Sequence, residues 1–373
     1  MISMCSRELD PLEIAAIRGI KAWVNRLTEV REERERSASV VEPSVYWRFF
    51  SQAFDYMKAM PPEQFKTMRL HTYHLDGDTY QISFFGDENN YHRYYTGLHH
   101  ELPERYKIGA PELCGEYGYL VNGRLVNDKV LKWQEIIRAL WFKGQFTALE
   151  NSPRPLILEI GGGYGSLAHH FNTMFPNSLY FIVDIPETLL FAASYLTLIH
   201  GQDSVLLLDE DTEVSVESLK NLSFIMVPNS LLKSISSLRF GLSINVASFQ
   251  EMTEPQVTQY LEFLSSRTDV LLSANIDRFQ ATTDKVFVAD LLRRYFELTD
   301  LPPVKVSPAK RRDMRRVLRS SARSIRDGLI TLLYWPTSRP AKRQQGGGRF
   351  LAVPKGINAV TSSAALASAG VSD

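Results

Sequence analysis

The stretch that most constrains this chain is Leu156-Ile-Leu-Glu-Ile-Gly-Gly-Gly-Tyr-Gly-Ser-Leu167. It opens as a short apolar run, turns into a glycine cluster, and continues with Leu167, Ala168, Phe171, Met174 and Phe175 at helical spacing. The pattern predicts strand, tight turn, helix. Glycine lacks a Cβ and tolerates positive φ, so a ligand can approach the backbone of such a turn closely. That ligand then meets the free N–H groups at the helix N-terminus. A phosphate-binding P-loop would close on Gly-Lys-Ser/Thr, and none follows. The dinucleotide pattern Gly-x-Gly-x-x-Gly, begun at Gly161, would need a glycine where Ser166 stands.

What fits is Glu159-x-Gly161-x-Gly163-x-Gly165, with a carboxylate two residues before the first glycine. An acid on a buried strand beside a glycine loop suits a cationic ligand better than a pyrophosphate. The next strand, Tyr180-Phe-Ile-Val-Asp184, ends in a second acid. Asp184 lies 19 residues beyond Gly165. That is close to the spacing of about 20 at which an acid holds ribose hydroxyls. Together these features resemble the S-adenosylmethionine site of class I methyltransferases, with Tyr164 inside the loop among the cofactor contacts.

At 373 residues the chain has room for two domains, or one with a large extension. Apolar residues at 44% and charged residues at 23% describe an ordinary globular protein. Lys+Arg and Asp+Glu both number 42, so net charge gives no reason to expect nucleic acid as a partner. Two cysteines, Cys5 and Cys114, make no disulfide framework, and a cytoplasmic setting is expected. The N-terminus is too polar for a secretory signal, and no apolar run approaches the roughly 20 residues of a membrane span.

Along the chain, Ile17, Ile20, Val24, Leu27 and Val30 predict a helix over 9–36, and Trp47, Phe50, Phe54 and Met57 a second over about 45–59. Residues 69–108 are rich in tyrosine and histidine, with a turn at Asp76-Gly77-Asp78; they read as an aromatic wall or as irregular packing. The histidine spacings match no metal motif. Cys114 to Asn122-Gly123 reads as a strand ending in a turn, and Asn127 or Asp128 as the cap of a helix reaching about 142. From 156 onward strands and helices alternate, predicting a parallel sheet of strands at 156–160, 179–184, 224–227, 242–246 and 270–275. Arginines dominate 310–326 at the spacing of a basic amphipathic helix, and Gly346-Gly-Gly348 and the Ser/Ala-rich end read as unstructured. The expected organisation is a helical N-terminal region with a substrate lid (1–148), a Rossmann-like α/β core (149–300), a C-terminal extension with the basic helix (301–356) and a tail (357–373).

Several segments taken together resemble the bacterial sugar O-methyltransferase family. They are Gly115-Glu-Tyr-Gly-Tyr119, Val121-Asn-Gly123 with Val126-Asn-Asp128, the Leu158–Gly165 core, Val183-Asp-Ile-Pro-Glu-Thr-Leu189, Ile244-Asn-Val-Ala-Ser-Phe-Gln-Glu-Met252 and Asn275-Ile-Asp-Arg278. The strings after 184 and after 246 are the more diagnostic. The resemblance implies S-adenosylmethionine as cofactor. Gly161, Gly163 and Gly165 would lie under its methionine part, Glu159 near its amino group, and Asp184 on the ribose. Ile185, Pro228 and Asn229 would meet adenine, and Asn245 would face the methyl group.

Methyl transfer to a hydroxyl calls for a general base. Glu251, with Gln250 beside it, follows the fourth strand at the carboxyl edge, where open α/β sheets bind ligands. Glu251 is therefore the expected base or acceptor-orienting group. Glu116 and Tyr119 are placed to close over the acceptor. Asn245, Glu251, Asn275 and Asp277 make a poor metal set, because two are amides, so no metal is expected. The expected partner is a small-molecule acceptor, and a homo-oligomer is left open. N- or C-methylation of a non-sugar metabolite, or a cofactor-binding scaffold without turnover, are the competing readings.

Overall fold

A computed structural model of the chain describes residues 2–36, 47, 51–72, 75, 88–212, 214–276, 287–301 and 347–355. The turn at Asp76–Asp78, the arginine-rich segment, Asp277 and the tail lie outside the described residues.

The chain begins with strand β1 (Ile2–Cys5) and the long helix α1 (Pro11–Arg36). Helix α2 (Asp55–Ala59) and a 3-10 helix (Pro62–His71) follow, then α3 (Glu88–Leu98). Strands β2 (Glu116–Val121) and β3 (Arg124–Val126) form a hairpin on Asn122 and Gly123, at φ 50° and 76°. Two positive φ values in succession are what a type I′ turn needs. β1 pairs antiparallel with β2, Cys5 opposite Glu116, so a three-stranded sheet precedes the main one.

Helix α4 (Asp128–Phe142) starts where expected: Asn127 accepts a hydrogen bond from the Val130 N–H at 3.0 Å and caps it. Helix α5 (Phe146–Asn151) leads into β4 (Leu156–Ile160), α6 (Ser166–Met174), β5 (Leu179–Asp184) and α7 (Pro186–His200). Then come β6 (Val205–Leu207), β7 (Phe224–Pro228), β8 (Phe240–Val246), α8 (Glu254–Arg267) and β9 (Thr268–Ile276). Helix α9 (Val288–Tyr295), β10 (Phe296–Asp300) and β11 (Gly347–Pro354) complete the described chain.

The main sheet runs β10-β11-β9-β8-β4-β5-β7-β6. Its strands from β9 to β6 are parallel, and β11 lies antiparallel between β9 and β10. This is a Rossmann-like sheet, with the short strand β6 at one edge. Three features differ from the sequence-based expectation. Val205–Leu207 is a strand, although Asp209–Asp211 follow at once, because it needs only one partner, β7. Glu88–Leu98 is a helix with Tyr91, Tyr95 and Leu98 on its buried side. Gly347 and Gly348 open a strand, and Ala352 of that strand pairs with Leu271 inside the sheet.

Side-chain alternation divides the core into two layers. Ile157, Tyr180, Ile182, Met226 and Ile244 face α1, α4, α6 and α7. Leu158, Phe181, Val183, Ile225 and Val227 face α8 and α9. Among the described residues no helix is long and apolar enough to cross a membrane.

Candidate functional site

β4 and its neighbours end at one edge, and strand order reverses on either side of β4: β5 follows on one flank, β8 on the other. Ligands of open α/β sheets bind outside the carboxyl ends of the strands at such a switch point. A cavity of about 360 Å³ lies there. It falls within the range of roughly 300–1,000 Å³ typical of small-molecule sites. Gly161 after β4, Asp184 and Ile185 after β5, Asn229 after β7 and Ser248 after β8 contribute to its wall. Leu27, Val30 and Arg31 of α1, with Trp47, close one side; Met252, Gln256 and Tyr260 close another.

The glycine loop earns its composition at two positions. Gly161 has φ 78°, and a Cβ there would stand 2.1 Å from Ser248 Oγ. Gly163 has φ 56°, and a Cβ there would project into open space, with no atom within 4 Å. The first glycine is required by its neighbour; the second exposes bare backbone. Gly165, at φ 85°, precedes the first turn of α6. Ala247 also adopts a left-handed φ of 60°, and its N–H bonds the Ala274 carbonyl at 2.8 Å. That turn directs Ser248 toward Gly161.

Asp184 joins the loop to the cavity. Its Oδ1 accepts the Ile185 N–H at 2.8 Å and its Oδ2 the Gly163 N–H at 3.4 Å. Burial pushes its carboxyl up to about 7, while those backbone donors pull it down. Arg31 bonds Glu187 with both terminal nitrogens, one contact at 2.9 Å, and so fastens α1 beside the cavity.

Gly161, Asp184, Ile185 and Asn229 of the expected cofactor set thus share one wall. Glu159 takes a different part. It is 2% exposed, it accepts the Tyr180 hydroxyl at 2.9 Å, and burial lifts it to about 8. Through that bond its side chain ties β4 to β5, beneath the glycine loop. Pro228 is buried as the last residue of β7, behind Asn229. Tyr164 is buried outside the cavity wall and meets Tyr195 edge to face, with ring centroids 5.0 Å apart.

Of the expected catalytic set, Asn245 is built into the framework. Asn245 is fully buried; its Nδ2 donates to the Ile160 carbonyl at 2.9 Å, and its Oδ1 accepts from Asn275 Nδ2 at 2.8 Å and Phe249 N–H at 3.3 Å. Asn275 Oδ1 in turn accepts the Gln250 N–H at 3.3 Å. These amides tie three strands and the following turn together instead of facing the cavity. Gln250 is buried, and Glu251 is half-buried in a single 3-10 turn, between Gln250 and the cavity-lining Met252. Glu116 is 1% exposed and does not close over an acceptor.

His169 and His170 are also interior. His169 Nδ1 sits 2.9 Å from His200 Nε2, and burial, with His200 beside it, drives His169 down to about 3. Among the described residues no group of three or more His, Cys, Asp or Glu is arranged to hold a metal ion. Sequence reasoning missed the cavity residues Arg31, Trp47, Gln256 and Tyr260. They come from helices whose apolar stripes read only as core.

No family model and no curated protein sequence matches the chain. Solved structures similar to it include the mitomycin 7-O-methyltransferase MmcR, at 15% identity over 78% of this chain and 72% of that one, TM-score 0.28. The plantazolicin methyltransferase BpumL in complex with SAH matches at 11% identity over 78% and 98%, TM-score 0.30. The magnesium protoporphyrin IX methyltransferase ChlM of Synechocystis PCC 6803 matches at 14% identity over 75% and 97%, TM-score 0.29. Likenesses of this size carry no argument; the fold rests on strand order and register.

Proposed function

We propose that this chain is an S-adenosylmethionine-dependent methyltransferase acting on a hydroxyl of a sugar or of a glycosylated or other natural-product small molecule. The observation that carries the cofactor is Asp184: a carboxylate at the end of β5, hydrogen-bonded to the glycine loop and open to a ligand-sized cavity. The bare backbone at Gly163 supports the same reading, since it leaves room for a ligand against the loop. Asp184 would accept the ribose hydroxyls. Ile185, Asn229 and Met252 would flank the base, and Gly161 and Gly163 would underlie the amino-acid part.

When bound, S-adenosylmethionine supplies a sulfonium methyl with a neutral leaving group. The chain then has to align the acceptor, exclude water and take up one proton. Glu251 is the proposed base. The sugar character of the acceptor rests on the resemblance of the Val183–Leu189 and Ile244–Met252 segments.

Thermal unfolding of the full chain with and without cofactor tests the reading. A ligand present at about 100 times its Kd stabilises the folded state by roughly 2.7 kcal/mol. S-adenosylmethionine and S-adenosylhomocysteine should each raise Tm, and adenosine less. An unchanged Tm at millimolar concentrations of both would refute the cofactor assignment.

A further inference from the structure

The loop from Gly161 to Gly165 contains four glycines and one side chain, Tyr164. Four glycines give the unfolded or loosened loop a large conformational entropy. Tyr164 is the one side chain the loop itself offers to the surrounding protein. What holds it is a buried polar cluster from the N-terminal region.

Arg69, at the end of the 3-10 helix, is 1% exposed, and its guanidinium lies over the Tyr164 ring, 4.1 Å from the centroid. Its Nε is 2.9 Å from Glu116 Oε1, an ion-pair contact out of line for a hydrogen bond. Its Nη1 donates to Thr72 Oγ1, and its backbone N–H to the Cys114 carbonyl at 3.0 Å. Glu116 is held from two further sides. Its Oε1 accepts the Tyr195 hydroxyl at 2.8 Å and its Oε2 accepts Asn127 Nδ2 at 3.0 Å. Tyr195 also meets the Tyr164 ring edge to face, at 89°. The Tyr164 ring is thus clamped between a fixed cation and a fixed aromatic. The cation's orientation is set by a carboxylate from β2.

We propose that Arg69 and Glu116 are positioning residues for the glycine loop. On this account they act through Tyr164, and the N-terminal region sets the loop's ligand-ready conformation before any ligand arrives. Neither residue touches the ligand. A cation stacked on a ring in a desolvated setting is strongly attracted to it, and the bonds to Thr72, Tyr195 and Asn127 restrain the two members of the ion pair. The importance of this clamp for ligand binding rests on the cofactor reading above; the ordering of the loop does not.

Hydrogen exchange on the ligand-free full chain separates the two. In Tyr164→Ala, peptides covering 161–165 should exchange at least about tenfold faster, while β4 and β5 keep their protection. Tyr164→Phe, which retains the ring, should restore slow exchange. Arg69→Met alone leaves Glu116 buried and unpaired and tests folding as much as positioning. The paired variant Arg69→Met/Glu116→Gln removes both charges and should loosen the same peptides without a global change. S-adenosylhomocysteine affinity should fall in Tyr164→Ala and in the paired variant by about tenfold and recover with Tyr164→Phe. Loop exchange unchanged in Tyr164→Ala, or faster exchange spread equally over the whole chain, would overturn the proposal. Wild-type protein that fails to bind S-adenosylhomocysteine, with the exchange pattern as described, would defeat the cofactor reading and leave the clamp standing.

Discussion

Two turns leave the carboxyl edge of the sheet on either side of its switch point, and they use polar side chains in opposite ways. After β4 and β5, Asp184 turns a carboxylate toward the cavity and fixes itself with backbone N–H groups alone. After β8, Asn245 and Asn275 spend their side-chain hydrogen bonds on Ile160, Phe249, Gln250 and each other. Both turns sit at the edge where ligands bind. Position at that edge is therefore not enough to assign a role. What distinguishes the two is whether the polar atoms are still available once the framework is satisfied.

The contrast breaks most visibly at Gly161. Gly161→Ala puts a Cβ on Ser248 Oγ at a φ of 78°. It should abolish measurable cofactor binding, and Gly161→Ala/Ser248→Gly should recover part of it, as read by calorimetry. Asp184→Ala comes next. Loss of two hydrogen bonds to a charged group, each worth about 1.5–3 kcal/mol, should weaken cofactor binding by about 100-fold or more, with little change in denaturant midpoint. Asn245→Ala should show the reverse pattern. Three buried bonds are lost, so about 2–4 kcal/mol of stability should disappear in chemical denaturation. A variant at 245 that lost affinity but no stability would erase the distinction drawn between the two turns.

Acidity sharpens the comparison further. Asp184 and Glu159 are both raised by burial, to about 7 and about 8. For an acid whose folded pKa lies above its unfolded value, the favourable contribution is complete below about pH 4 and is lost as pH rises through the folded value. The ligand-free protein should lose stability between about pH 4 and 8, and Asp184→Asn and Glu159→Gln should each flatten part of that slope. Cofactor affinity should move the other way, rising through about pH 7 as Asp184 ionises. The smallest effect on binding is expected at Glu251→Gln: affinity within about twofold of wild type, and turnover lower by about 100-fold if Glu251 takes the proton. Equal losses in both would make it another framework residue.

The strands that carry the cofactor half were legible because their signals are local. Leu156–Ile160 and Leu179–Asp184 are short apolar runs bounded by glycine, proline and an acid, and the structure keeps those bounds. β11 was not legible. Its glycines read as a linker, and its partner Leu271 lies far back in the sequence. Helix α3 was hidden by a run of tyrosines, asparagines and a histidine, residues whose helical preference is weak, so packing decides it. Glu116 and Tyr164 were legible as unusual residues but not in their roles. The contacts that define them come from Arg69 and Tyr195, and no spacing rule connects 69, 116, 164 and 195. The glycine pattern announces that a ligand approaches the backbone; only the folded chain reveals which side chains stay free to meet it.

The central claim is that Asp184 and the glycine loop form one cofactor site, and calorimetric titration of the full chain with S-adenosylhomocysteine tests it most directly. The account predicts saturable binding at one site per chain, reduced by about 100-fold or more in Asp184→Ala while that variant remains as stable as wild type. Binding of equal strength in wild type and Asp184→Ala, or none in folded wild type at millimolar ligand, would contradict it.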